Sequence, residues 1–194
     1  MSMPAKHSKR SRRWTRSDVL ALMEANPLHT PRYEVVRGEL LVTPSPTWLH
    51  QKAVFELAMA LSAYCDDTGI GETTISPSDV DLERGGLVQP DVYVVPRSEG
   101  LRLRRENTAR VLLLAAEVSS PGSERGDRGA KRELYQATVP VYWLADLHHR
   151  SVEQWLLGRE GSTIERDRLV WHPAGADHGF VLDLQQFFKT VHAD

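Results

Sequence analysis

The 194-residue chain sets 24 Lys and Arg against 26 Asp and Glu and is 41% hydrophobic, the make-up of a soluble globular protein long enough for one well-buried domain. No apolar run approaches the roughly 20 residues of a membrane span, so no membrane association is expected. A single cysteine, Cys65, excludes an internal disulfide, and no apolar segment follows the basic N-terminus, so a signal peptide is not expected and a cytoplasmic location is.

Charge is unevenly placed. Residues 1–16 hold Lys6, Lys9, Arg10, Arg12, Arg13 and Arg16 and no acid, leaving 18 basic against 26 acidic residues in the remainder. This predicts a disordered basic tail over 1–16, able to touch nucleic-acid phosphates non-specifically, and a single domain over 17–194. The acidic body argues against a tight, non-enzymatic DNA binder.

Thr15 or Ser17 can cap a short helix through Glu24, which Asn26-Pro27 would end. Tyr33–Val42 reads as a hairpin about Arg37-Gly38. From Trp48, the residues His50, Val54, Leu57, Ala58, Leu61 and Cys65 recur at three- and four-residue steps, an amphipathic helix that Asp67-Thr68-Gly69 closes. Ser78–Glu83 alternates as a half-exposed strand, and Arg84-Gly85-Gly86 turns the chain into a second strand, Leu87–Val95. Residues 97–109 read as a loop or irregular helix. Val111–Ala116 is continuously apolar, as in a central strand covered on both faces. Residues 119–129 are turn-rich, Asp127 suits a helix N-cap region, and a helix over 128–137 sets Lys131 and Tyr135 four apart on one face. Val141–Asp146 is another buried strand with Val152–Leu157 as hairpin partner. Strand-like pieces follow near Thr163–Arg166 and Phe180–Leu184, then a short apolar end at Phe187-Phe188. The order predicts an α/β sandwich around a mixed sheet.

Two acids end adjacent strands in this reading, Asp91 after Pro90 and Glu117 after Ala116. A buried carboxylate is costly unless paired or metal-bound. Two hard oxygen ligands with an open hemisphere suit Mg²⁺ or Mn²⁺, which polarises a phosphate and acidifies water, and a nearby lysine would stabilise growing negative charge. Asp and Glu at strand ends are common, and each acid taken singly is more often structural. His50, in the first turn of its helix, reads as a hydrogen-bonded structural residue placed to support the site. His148-His149 read as solvated, and Tyr142, Trp143 and Trp155 as core.

The wording around these residues adds to this. Gln89-Pro90-Asp91-Val92, Glu117-Val118-Ser119-Ser120-Pro121, Asp127–Tyr135 and Val139–Asp146 occur in this order, after a Tyr33-Glu34…Gly38-Glu39 hairpin and the His50 helix. Over roughly residues 30–157 the chain resembles the Uma-type bacterial family, a branch of the PD-(D/E)XK restriction-endonuclease-like superfamily. The resemblance implies an α/β restriction-endonuclease-like core, a mixed β-sheet flanked by helices with an extra N-terminal hairpin. It also implies a metal-dependent nuclease acting on DNA with Mg²⁺ or Mn²⁺. Asp91 and Glu117 match the two metal-binding acids, with the Val118 carbonyl as third ligand. The superfamily lysine two residues after the second acid is Ser119 here, and Lys131 on the following helix is the match, to orient or deprotonate water with Tyr135 buttressing it. Glu39 is implied to reach the site from the hairpin, ranked below the two acids. Thr138 and Val141 also depart from the family pattern, away from any proposed ligand. By analogy, a homodimer would cut both strands.

A DNA endonuclease is therefore the expected function, and a catalytically silent nucleic-acid-binding or regulatory module on the same fold is the alternative. A hydrolase using Ser119 or Ser120 as nucleophile is set aside, because no Gly-x-Ser-x-Gly elbow surrounds either.

Overall fold

A computed structural model describes the protein over residues 13–26, 28, 30–82, 85–119 and 124–193. The basic run through residue 12, the Pro27 helix stop, and Ser120 with Pro121 lie outside the described residues.

Helix α1 (Arg16–Glu24) starts at Thr15, whose Oγ1 accepts the Asp18 N–H at 3.2 Å while the Asp18 carboxylate accepts the Thr15 N–H at 2.9 Å. That reciprocal pair selects Thr15 over Ser17 as the cap. The hairpin β1 (Arg32–Val36) and β2 (Glu39–Thr43) turns through Arg37 and Gly38, at φ 51° and 89°, a two-residue turn with both φ positive. Helix α2 (Trp48–Thr68) is capped by Thr47 and closes on the left-handed Gly69. Then come β3 (Gly71–Ile75), β4 (Asp79–Leu82), β5 (Gly86–Val88), β6 (Val92–Pro96), α3 (Arg97–Leu103), β7 (Thr108–Ala109) and β8 (Leu114–Ser119). A short helix, α4 (Glu124–Gly126), leads into a π-helical turn (Asp127–Lys131) kinked at Gly129, and then α5 (Arg132–Thr138). The chain ends with β9 (Val141–Asp146), β10 (Ser151–Leu156), β11 (Thr163–Glu165), β12 (Arg168–Trp171), β13 (Phe180–Asp183) and α6 (Leu184–Val191).

Six strands form the central sheet in the order β11-β10-β9-β8-β6-β3, mixed because β8 and β9 run parallel while the other neighbours are antiparallel. One face is covered by α2, α6 and the β12–β13 hairpin, with Val54, Leu57, Leu61, Trp171, Phe187 and Phe188 against Val92, Val94, Ala116 and Trp143. The other face meets α5 and a second sheet, ordered β2-β1-β5-β4-β7, through Val36, Val80, Val88, Leu134 and Tyr135 against Tyr93, Ala115, Tyr142 and Leu144. Tyr142, Trp143 and Trp155 are core residues, as the sequence predicts. No helix among the described residues is long and apolar enough to cross a membrane.

Two expectations are corrected. The single strand expected over Leu87–Val95 is two strands in two different sheets, β5 and β6. Pro90 has no N–H to give a ladder, and the Gln89–Asp91 segment carries the chain from one sheet to the other. The strand expected from Val111 begins at Leu114, and Val111 is exposed. The Phe187-Phe188 end lies in a helix, whose Asp183 cap accepts the Gln186 N–H at 2.9 Å.

Candidate active site

The crossing between the two sheets is where the acids meet. β6 and β8 are antiparallel with Val92 opposite Ala116, so the same register carried one residue further sets Asp91 opposite Glu117. Directly opposed residues of such a pair have Cβ atoms about 4.5–5.5 Å apart. Glu117 alternates with Ala116 and Val118 and therefore points away from the α2 side of the sheet, toward α5. The two acids anticipated from spacing are thus neighbours on adjacent strands.

Each is held differently. Asp91 Oδ1 accepts Arg32 Nη1 at 3.0 Å, and Oδ2 accepts the Val118 N–H at 3.0 Å and lies 3.0 Å from His50 Nε2. Burial favours the neutral form of this carboxyl. The His50 hydrogen bond and charge, then Arg32 and Lys131, outweigh burial and hold Asp91 well below the usual carboxylate range. Glu117 Oε1 accepts both Lys131 Nζ and the Tyr135 hydroxyl at 2.9 Å. Burial raises Glu117 well above the ordinary range. Lys131 opposes that shift, while Asp127, Asp91 and Glu34 reinforce it. Of the two, Asp91 is the permanent anion and Glu117 the group most ready to take a proton.

Lys131 is 1% exposed yet charged. Burial alone would lower its pKa, but Glu117, Glu34 and Asp127 raise it well above normal, with Nζ at 2.9 Å from Glu117 and Glu34 and 3.5 Å from Asp127. A lysine so held among three carboxylates stays protonated. Of the two expected roles, its charge state favours the first. Tyr135 is buried, and burial followed by Glu117 and Glu34 raises its hydroxyl well above normal, so it stays a donor to Glu117.

The other expected residues divide. His50 enters on the first turn of α2 and pins Asp91. Val118 contributes its N–H to Asp91, with its side chain in the core. Ser119 closes β8 opposite Asp146 and lines a groove of about 620 Å³ that also touches His50 and His149. Glu39 sits exposed at the start of β2 and lines a groove together with Asp127 and Lys131. The acid that β1 delivers is Glu34, fully buried, with Oε1 accepting the Gln89 N–H at 2.7 Å and Oε2 facing Lys131. Arg32, Glu34 and Val36 alternate with Val35, which packs under α1, so all three face the central sheet.

Sequence reasoning also missed Arg32 and Asp127. Asp127, read as an N-cap, is buried against Lys131 four residues on. The signal for Glu34 was available as its two-residue spacing from Arg32 and Val36. Beyond Ser119, Asp146 accepts the His148 and His149 N–H groups at 3.0 and 2.9 Å, together with Arg128 at 2.9 Å. His148 and His149 are exposed, as expected.

As a cation site, the cluster has the right chemistry. Four carboxylates, Glu34, Asp91, Glu117 and Asp127, face the two fixed cations Arg32 and Lys131; burial is the main cause of the raised Glu117, and the three neighbouring acids add to it. A hard divalent ion answers that imbalance. Among the described residues no three His, Cys, Asp or Glu side chains are arranged to hold an ion by themselves. Two acids supplemented by backbone, water and phosphate oxygens are the usual set for Mg²⁺.

Comparison with known proteins gives three findings. The model of the family described as "Uma2: Putative restriction endonuclease" matches residues 20–185. The chain is similar in fold to the crystal structure of "a putative nuclease belonging to DUF820" from Anabaena variabilis, with a TM-score of 0.70 and 18% identity over 83% of this chain and 92% of that one. No curated protein matches it. Since the family model spans most of the chain, from the α1 helix to the start of α6, the protein belongs to the Uma2 family.

Proposed function

We propose that the protein is a metal-dependent endonuclease hydrolysing phosphodiester bonds of DNA, with Asp91 and Glu117 holding Mg²⁺ or Mn²⁺. The observation that carries this reading is the opposition of the two acids on adjacent strands beside a buried, charged lysine, inside a cluster with surplus negative charge. The family description and the nuclease-like neighbour support the same reaction class.

A divalent ion there supplies Lewis acidity toward a phosphoryl oxygen and a more acidic water. The protein's own residues do the rest. Before an ion binds, Arg32, His50 and the Val118 N–H keep Asp91 ionised and fix its direction. Tyr135 and Lys131 converge on one Glu117 oxygen, which fixes that carboxylate's rotation. Lys131 brings a permanent positive charge to the developing phosphorane. The groove at His50 and Ser119 touches this cluster through His50, and another groove, lined by Glu39, Asp127 and Lys131, touches it through Asp127 and Lys131.

The test is cleavage of supercoiled plasmid by wild type, Asp91→Asn and Glu117→Gln with Mg²⁺ or Mn²⁺. The proposal expects nicking by wild type that disappears with chelator and in both variants. Equal activity in all three would reject the site.

A further inference from the structure

Both oxygens of Asp91 are engaged. Oδ2 is taken by His50 and the Val118 N–H, and Oδ1 by Arg32 Nη1 at 3.0 Å. Two of those partners belong to well-packed elements: the Val118 N–H is a fixed part of β8, and His50 is 4% exposed on α2. Arg32 differs. Its side chain is 11% exposed, against 2% for Asp91, and it opens β1, where it borders a second groove of about 550 Å³ between α1, β1 and the segment leading into β4. Its Nη1 also donates to Ser76 Oγ at 2.9 Å and approaches the Gln89 carbonyl at 3.4 Å, while its Nε is buried without a hydrogen-bond partner. The guanidinium is therefore fastened by one of its nitrogens, with open volume beside it.

We propose that Arg32 is a built-in competitor for the metal position at Asp91. Its guanidinium occupies the oxygen a divalent ion requires, and loading of the ion moves it into the neighbouring groove. This rests on the metal-dependent reading above and adds a regulator of it. The resident arginine keeps a buried carboxylate satisfied when no ion is bound, which would otherwise be costly. It also sets a threshold for metal affinity, because the ion must replace a charge-assisted hydrogen bond. Lys131 cannot play this part, since its contacts with Glu34 and Asp127 keep it in place when Glu117 changes partner.

The experiment is calorimetric titration of Mn²⁺ into the full chain at pH 7.5, comparing wild type with Arg32→Met and Arg32→Lys, with plasmid cleavage run alongside. Loss of a competing charged hydrogen bond is expected to tighten Mn²⁺ binding in Arg32→Met by about ten- to a hundredfold. Arg32→Lys, with a cation but no rigid fork, is expected in between, and it serves if the Met variant does not fold. Affinity unchanged or weakened in the folded variants, with wild type binding and cleaving normally, overturns the competitor role alone. Absence of Mn²⁺ binding and cleavage in wild type and variants alike overturns the metal-dependent reading and this inference together.

Discussion

Lys131→Met isolates the energetics of the buried cluster. Met keeps most of the side-chain volume, so the change removes charge without opening a large cavity. What remains are Glu34, Glu117 and Asp127, which had Nζ at 2.9, 2.9 and 3.5 Å, in a region where each acid is at most 1% exposed. Breaking a buried ion pair from one side costs about 3–5 kcal/mol. For a chain of this size each kcal/mol shifts Tm by about 2–4 °C, so a fall of about 6–20 °C is expected at pH 8. The deficit must shrink on acidification. Without the ammonium, Glu117 rises further above its ordinary value, and the native state then holds a proton that the unfolded state has released. Stability therefore falls as pH rises from the unfolded carboxyl value toward the folded one. Thermal melts of wild type and variant between pH 5 and 8 read this directly. A Tm within about 2 °C of wild type at all pH values would refute a buried, charged Lys131. Adding Glu34→Gln to Lys131→Met should recover part of the loss, since one stranded carboxylate is gone and the two sites are in contact.

Other expectations follow from the same geometry. Glu117→Gln should abolish cleavage yet melt at or above wild type near pH 8, because it removes the group that burial and three neighbouring acids destabilise; a clear drop in Tm there would contradict the raised carboxyl. Asp91→Asn should lose stability, by about 3–5 kcal/mol, because Arg32 is left without its anion. Asp91 is depressed below 3.8 when folded, so its contribution is present above that pH and lost as pH falls through the folded value. The variant's acid-unfolding limb should accordingly be flatter than wild type's in circular dichroism. Glu34→Ala should destroy activity and destabilise, whereas Glu39→Ala should change neither, since Glu39 is exposed; the reverse pattern in plasmid nicking would restore the hairpin's other acid.

Local pattern carried much of this structure. The α2 helix, the hairpin at Arg37-Gly38 and the β9–β10 pair follow from periodicity and turn chemistry alone. The i, i+4 spacing of Lys131 and Tyr135 was enough to bring both to one Glu117 oxygen. What pattern could not supply was long-range. Leu87–Val95 looks like one strand because both its halves are apolar, and only the pairing of each half with a different sheet reveals the break at Pro90. Glu34 and Glu39 are both acids in one hairpin. Which of them is buried depends on the second sheet packing against the central one, a contact between residues far apart in sequence. Asp127 looks like an ordinary helix cap until Lys131 is found to be buried, and Arg32 acquires a role only when Asp91, nearly sixty residues on, is set beside it.

The central claim is that this cluster binds a divalent ion through Asp91 and Glu117. Calorimetric titration of Mn²⁺ into wild type and into the Asp91→Asn, Glu117→Gln double variant tests it most directly. Wild type is expected to bind saturably, and the folded double variant is expected to show no binding. Equal binding by both proteins would place the ion elsewhere and contradict the claim.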